Sequence, residues 1–302
     1  MSRVLVTGAG GFIGRRATSL LAEHGHEVHG VGRGAARGPG EWHRADLLEP
    51  GSAAELVAAV RPTHLLHLAW YAEHGKFWTS PENVRWVEAS LALLRAFAEA
   101  GGERAVGAGS CAEYEWGGRG LLSEHHSPLR PATLYGVCKN AFRQVTAAYA
   151  EPAGLSFAWG RIFFLYAADE HPDRLVASVA RAVVAGNSAE TSSGEQLRDF
   201  MHADDVAAGL VALLESDVRG PVNVASGEPT GVRDLALEIG RAAGREDLVK
   251  VGALPQRPGE PAEIVADVRR LREEVGFERA ITTAEGVART VEELRDQLER
   301  RA

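Results

Sequence analysis

The chain has 302 residues, 45% hydrophobic and 25% charged, a composition that supplies a sizeable core and excludes disorder over most of the length. Lys plus Arg total 33 against 41 Asp plus Glu, a formal charge of −8, which disfavours adhesion to nucleic-acid phosphates or anionic membranes and makes a small molecule the expected partner. No run approaches the roughly 18 uninterrupted apolar residues of a membrane helix and no signal-peptide pattern precedes the first strand, so a cytoplasmic protein is expected.

In chain order, a strand over 3–7 leads to a helix over 12–24 and a strand over 27–31; a helix over 53–60, a strand over 64–68, a helix over 81–100 and a strand over 104–109 follow. A helix over 135–149, with Leu134, Val137 and Ala141 on one face, and a strand over 155–163 complete the regular part. This alternation predicts an α/β fold, a doubly wound parallel sheet covered on both faces. Beyond residue 166 the alternation weakens and Gly/Pro punctuation sets in around Gly186, Gly194, 227–231 and 255–261, the mark of a smaller C-terminal substrate-binding lobe. Periodicity predicts a helix over 206–214, a strand over 221–225 is expected to return to the main sheet, and 284–300 reads as a solvated amphipathic helix. The expected division is 1–165 plus about 199–226 for a dinucleotide-binding domain, and about 166–198 and 227–302 for the lobe.

The motif Gly8-Ala9-Gly10-Gly11-Phe12-Ile13-Gly14 lies between the first strand and the first helix. There, backbone N–H groups and the helix N-terminus favour a pyrophosphate, which makes Gly8, Gly11, Phe12, Ile13 and Gly14 candidate cofactor residues. The end of the second strand has no acidic side chain for ribose hydroxyls. It reads Val31-Gly32-Arg33-Gly34, with Arg37 following, and a guanidinium suits a 2′-phosphate. NADP(H) is therefore favoured, with NAD(H) the alternative.

Tyr135 and Lys139, four apart on a predicted helix, project from one face. An ammonium beside a phenol favours phenolate, so the tyrosine can exchange a proton with a substrate oxygen while hydride moves at carbon. Ser110, at the end of the preceding strand, is placed to donate a hydrogen bond to the same oxygen. The two cysteines, Cys111 and Cys138, are not in CxxC spacing and read as structural thiols. The 11 histidines form no HExxH or comparable set, so no metal is expected.

Taken together these segments resemble the extended short-chain dehydrogenase/reductase family, specifically its nucleotide-sugar epimerases, dehydratases and ketoreductases. The resemblance runs through Thr7 to Gly14, Asp46-Leu47, His67-Leu68-Ala69, Gly109-Ser110-Cys111-Ala112-Glu113-Tyr114, Tyr135-Gly136-Val137-Cys138-Lys139 and Arg198-Asp199-Phe200-Met201-His202-Ala203-Asp204-Asp205-Val206. It implies a Rossmann-type fold, Ser110, Tyr135 and Lys139 as the catalytic triad, Asp46 and Leu47 near adenine, Ala69 near the nicotinamide half, and a homodimer. In Asn223-Val224-Ala225-Ser226-Gly227 and Arg257-Pro258-Gly259-Glu260 it implies a site for the substrate's nucleotide, with Arg198 and Arg257 as candidates to meet a diphosphate.

Family dehydratases carry an Asp-Glu pair directly after the serine or threonine, and the decarboxylases a glutamate at the second of those positions; here they are Cys111 and Ala112. Glu113, one residue further on, is expected to point away if the segment is extended, and reads as structural. Epimerisation and ketoreduction remain. An epimerase regenerates its NAD+ every cycle, whereas a reductase consumes NADPH, so Arg33 favours NADPH-dependent reduction of the C4 ketone of a nucleotide-activated 4-keto-6-deoxysugar. An NAD-dependent epimerase is the second reading and a non-catalytic dinucleotide sensor the third. The chain departs from the family pattern in placing Trp86 where asparagine is common, with Asn83 a turn earlier. Its segment 70–78 is also unusually aromatic and is expected either to line a sugar or nicotinamide pocket or to pack a loop or a dimer helix face.

Overall fold

The computed structural model describes residues 1–36, 38–118, 120–256 and 258–300. Arg37 and Arg257 lie outside the described residues. The first half alternates strand and helix: β1 (Arg3–Thr7), α1 (Gly14–Glu23), β2 (Glu27–Gly32), β3 (Glu41–Arg44), α2 (Ser52–Val60), β4 (His64–His67), α3 (Glu82–Glu99), β5 (Arg104–Ser110), α4 (Leu134–Ala150) and β6 (Ser156–Ile162). There follow β7 (Phe164–Tyr166), α5 (Leu175–Val184), β8 (Ala189–Glu190), β9 (Leu197–His202), α6 (Ala203–Glu215), β10 (Gly220–Val224), β11 (Pro229–Gly231), α7 (Val232–Ala243), β12 (Val249–Lys250), β13 (Glu263–Ile264) and α8 (Thr283–Glu299).

Seven strands form one sheet in the order β10-β6-β5-β4-β1-β2-β3, every pair parallel. This is the doubly wound, Rossmann-type arrangement, and its chain reversal lies between β1 and β4, where ligands bind in such sheets. Both faces are covered, so the central strands are almost wholly apolar. On one side Ala17 and Leu21 of α1 pack with Val206 and Leu210 of α6 against Val4, Val6 and Val106. On the other, Val57 of α2, Leu93 and Phe97 of α3 and Phe142 of α4 pack against Leu5, Leu65 and Trp159. The strand expected over 221–225 joins this sheet as β10, in register with β6 through Val222 opposite Gly160.

A second sheet, β11-β9-β13 with β7 also on β9, carries the chain out of the main layer. A third core, of Val179 and Val183 of α5, Leu235 and Ile239 of α7 and Val287, Val291 and Leu294 of α8, stands over Phe200 of β9. Asp199 seals this junction: its buried carboxylate accepts from Ser226 N, Ser226 Oγ, Gly227 N and Ala266 N at 2.6–3.1 Å. Among the described residues, no helix is long and apolar enough to cross a membrane.

Three expectations change. Strand β3, Glu41-Trp42-His43-Arg44, has no apolar alternation to announce it; it exists because β2 offers a free edge, with Trp42 lying over Gly30 and Gly32. On α4, Val137 is 46% exposed, and the inward side chains include Lys139, Phe142 and Thr146. Gly136 sets that face: a Cβ there would stand 2.2 Å from the Ala112 carbonyl oxygen. Polarity alone misassigns the face because its inward lysine has partners that sequence does not reveal. Lastly, α8 is docked rather than solvated, opened by a Thr282/Glu285 capping box and anchored by its apolar stripe. Replacing Leu294 by Ala is expected to cost roughly 2–5 kcal/mol in urea unfolding; a change near zero would return α8 to the solvent.

Candidate active site

The glycine turn is built by close backbone approach. Gly8 adopts φ 67°, and a Cβ on it would stand 2.9 Å from Ala69 N; a Cβ on Gly14 would stand 2.1 Å from the Gly8 carbonyl oxygen. Helix α1 begins at Gly14 with no side-chain cap; its first turn is closed by Arg15 N on the Gly11 carbonyl and Ala17 N on the Ile13 carbonyl, so the positive end of the helix dipole faces the glycine turn. That cradle fits a dinucleotide pyrophosphate on the helix N-terminus. Ile13 packs on the core beneath it, and the Phe12 ring lies 4.7 Å from the Arg16 guanidinium carbon.

The ends of β1 and β4 are tied at this point. The Thr7 hydroxyl accepts from Leu68 N and Ala69 N, each at 3.1 Å, and lies 2.7 Å from His67 Nδ1. With both acceptor positions used, that hydroxyl donates to Nδ1, which places the imidazole proton on Nε2, 2.8 Å from Ser90 Oγ. Burial, with the Lys139 charge adding to it, pushes the His67 pKa down to about 3, so the ring is neutral at working pH. Ala69 is thereby set directly beside Gly8.

Ser110 ends β5, and Tyr135 and Lys139 lie on α4, whose Thr133 cap accepts from Gly136 N at 3.1 Å. The three meet. Burial pushes the Tyr135 phenol well above its ordinary range, opposed by a hydrogen bond with Ser110. The Lys139 ammonium donates to the Ala108 carbonyl at 2.8 Å, lies 3.9 Å from the Trp70 ring centre and 5.9 Å from that of Tyr135. Burial lowers its pKa to about 7, against the pull of Glu113.

The stretch after Ser110 is not extended. Residues Cys111–Glu113 form a 3-10 turn in which Ser110 Oγ accepts from Ala112 N and Glu113 Oε1 accepts from Ser110 N at 2.9 Å. Glu113 also accepts from Trp159 Nε1 at 2.8 Å and from Arg161 Nε at 2.9 Å, both partners fully buried. Its carboxylate is thus occupied in holding the strand end that presents Ser110.

The aromatic segment lies against the phenol. Phe77 meets Tyr135 edge-on at 4.9 Å and Trp78 at 5.8 Å, and Tyr135 N donates to the Trp78 carbonyl. Asn83, fully buried, fixes the segment by accepting from Trp70 Nε1 at 2.9 Å and donating to the carbonyls of Phe77 and Ser80. Trp86 stacks on Trp70 at 6.4 Å. The aromatic density of 70–78 was legible in the sequence as either a pocket wall or a packed loop; the anchoring of that segment by Asn83 was not, because its partners Trp70, Phe77 and Ser80 meet it only in the fold.

The remaining candidates have partners of their own. Arg33 follows β2 with a side chain 73% exposed, 4.0 Å from Asp46. Asp46 accepts from Leu48 N at 3.1 Å, and Leu47 is buried with the α2 core. Arg198 on β9 is buried and bonded to Glu260 at 2.9 Å and to its neighbour's carbonyl.

The sequence model of the NAD dependent epimerase/dehydratase family matches residues 4–225. The chain is similar to the solved structure of MoeE5 in complex with UDP-glucuronic acid and NAD, at 31% identity over 97% of this chain and 99% of that one, with a TM-score of 0.85. It is similar to the Thermus thermophilus UDP-glucose 4-epimerase complex with NAD, at 28% identity over 97% and 99%, with a TM-score of 0.84. UDP-glucuronic acid decarboxylase 1 of Xenopus tropicalis is 26% identical over 99% of this chain and 74% of its own length.

The buried ammonium has a stability consequence. With the folded pKa near 7 and the ordinary value 10.5, the cost of burying Lys139 is fully present below about pH 7 and fades as pH rises toward 10.5, because only the unfolded chain holds the proton in that interval. The Lys139→Met variant is expected to be more stable than the parent at pH 6.5, with the gap shrinking by pH 9.5; parallel urea midpoints at the two pH values measure it.

Proposed function

This chain belongs to the NAD dependent epimerase/dehydratase family, and from that premise we propose that it reduces the C4 ketone of a nucleotide-activated 4-keto-6-deoxysugar with NADPH. The observation that carries the choice of NADPH, and with it net reduction, is Arg33: a guanidinium 73% exposed at the end of the second strand, where a 2′-phosphate would lie and where a fork of donors suits it.

Gly8, Gly11, Phe12, Ile13 and Gly14 would hold the cofactor's pyrophosphate, Asp46 and Leu47 its adenine side, and Ala69, Tyr135 and Lys139 its nicotinamide half. When bound, NADPH supplies the hydride to C4. Tyr135 gives its proton to the oxygen at C4; burial keeps that phenol protonated, so it acts as an acid. Ser110 orients the carbonyl by a hydrogen bond. Lys139 offsets the negative charge left on the phenolate, which is strongest while its ammonium is intact. Arg198 and Arg257 are proposed to meet the substrate's diphosphate.

Phe77 and Trp78 favour a single outcome at C4, because a ring wall at 4.9 and 5.8 Å from Tyr135 restricts the turning of a ketosugar that epimerisation requires. Decarboxylation is disfavoured by the engagement of Glu113 with Arg161. The second reading, an NAD-dependent nucleotide-sugar 4-epimerase, is favoured by 28% identity to the Thermus thermophilus epimerase over nearly the whole chain. A homodimer through α3 and α4 accords with the exposed Val84, Val137 and Val145 on those helices, and a cytoplasmic setting accords with NADPH supply.

Purified protein is expected to oxidise one NADPH per 4-ketosugar consumed from a panel of nucleotide-linked ketones. Tightly retained NAD, with interconversion of UDP-sugars and no net redox, would establish the epimerase instead. Tyr135→Phe should lower kcat by about 100- to 10,000-fold, and full turnover in that variant would remove the acid assignment. Arg33→Ala should raise the KM for NADPH roughly tenfold to a hundredfold, the worth of a charged hydrogen bond, while leaving NADH kinetics unchanged; an equal effect on both cofactors would overturn the phosphate role.

A further inference from the structure

We propose that His29, Glu41 and His43, supported by Glu27, form a binding site for a divalent ion of the zinc class at the open edge of the main sheet, separate from the candidate active site. The residues come from two strands paired in parallel register, His29 opposite Glu41 and Val31 opposite His43. The two-residue strand period puts Glu27 with His29, and Glu41 with His43, on one face.

Three ligand atoms converge: His29 Nδ1 lies 3.0 Å from His43 Nε2 and 3.7 Å from a Glu41 oxygen, and His43 Nε2 lies 3.8 Å from the other Glu41 oxygen. A tetrahedral zinc ion with bonds of about 2.0–2.2 Å separates its ligands by roughly 3.4 Å, so small side-chain shifts would close the set around one ion. The donors are two imidazoles and one carboxylate, which suits zinc and its neighbours and not calcium or magnesium, whose preference is for oxygen alone.

The outer contacts fit the same chemistry. Glu27 Oε1 lies 3.1 Å from His29 Nε2 and 3.0 Å from Arg3 Nε. Glu27, paired with Arg3, is placed to accept a hydrogen bond from His29 Nε2–H, which leaves Nδ1 facing His43 and Glu41; carboxylate support of this kind orients metal-bound histidines. The His29 side chain is 8% exposed and that of His43 20%, so both are held in place, while Glu41 at 67% leaves a fourth position open to water. An ion there would clamp the four-residue edge strand β3 to β2, the strand that leads into Arg33.

The test is a zinc titration of chelator-stripped full-length protein by calorimetry, with cobalt(II) as a spectroscopic probe. The expected result is uptake of one zinc per chain, a rise in melting temperature and the intense visible bands of tetrahedral cobalt. His43→Asn and Glu41→Gln should abolish that uptake, and Glu27→Gln should weaken it by about 10- to 100-fold. Glu41 is exposed, so its variant separates lost binding from lost folding, checked by an unchanged metal-free melting temperature. The double variant His24→Ala/His26→Ala removes two histidines that share Glu215 elsewhere on the surface and should bind zinc as the parent does. Absence of one-equivalent uptake by the parent, or uptake that survives both His43→Asn and Glu41→Gln, would overturn the site.

Discussion

The buried carboxylate of Glu113 is the interaction on which the geometry of this site depends. An ionised group removed from water costs several kcal/mol unless its hydrogen bonds are replaced and an opposite charge is supplied. Glu113 receives both, from the Ser110 backbone, the Trp159 indole and the Arg161 guanidinium. The network does not stop there. Arg161 donates to the Tyr114 hydroxyl, which donates to Asn223, whose amide donates to the carbonyls of Leu122 and Asp267. One carboxylate therefore ties the end of β5, where Ser110 is presented, to β6, to β10 and to the chain that leaves toward the second lobe.

A comparable role falls to Asp199 at the other side of the junction. Its four acceptor contacts join β9 to the turn after β10 and to the end of β13. Between these two buried acids the lobe is oriented over the sheet by hydrogen bonds, and its own apolar core of α5, α7 and α8 then packs as a unit. At this junction directional bonds set the alignment and apolar burial supplies the cohesion.

Within the site, burial acts in opposite directions on the two titratable partners. It raises the Tyr135 phenol and lowers the Lys139 ammonium, since in each case the neutral form is preferred in a low-dielectric setting. The Trp70 face and the Ala108 carbonyl partly compensate the lysine, and the aromatic segment that shields the phenol is itself fixed by a single buried asparagine. The resulting pair is a buried phenol and a buried ammonium whose neutral forms are both favoured, with Phe77 and Trp78 packed edge-on against the phenol.

The sequence by itself determined the alternation of strands and helices through β6 apart from β3, the glycine turn at the head of α1 and the four-residue spacing of Tyr135 and Lys139, because each is a local pattern whose physical cause lies within a few residues. Tertiary structure alone decided the rest. Strand β3 carries no apolar signal and forms only where β2 offers an edge; the inward face of α4 follows from the fit of Gly136 against Ala112; α8 is held by α5 and α7. Glu113 turns back to hold Ser110 because Trp159 and Arg161, far along the chain, meet it there. His29, Glu41 and His43 likewise converge through strand register, a relation between segments that linear spacing does not carry.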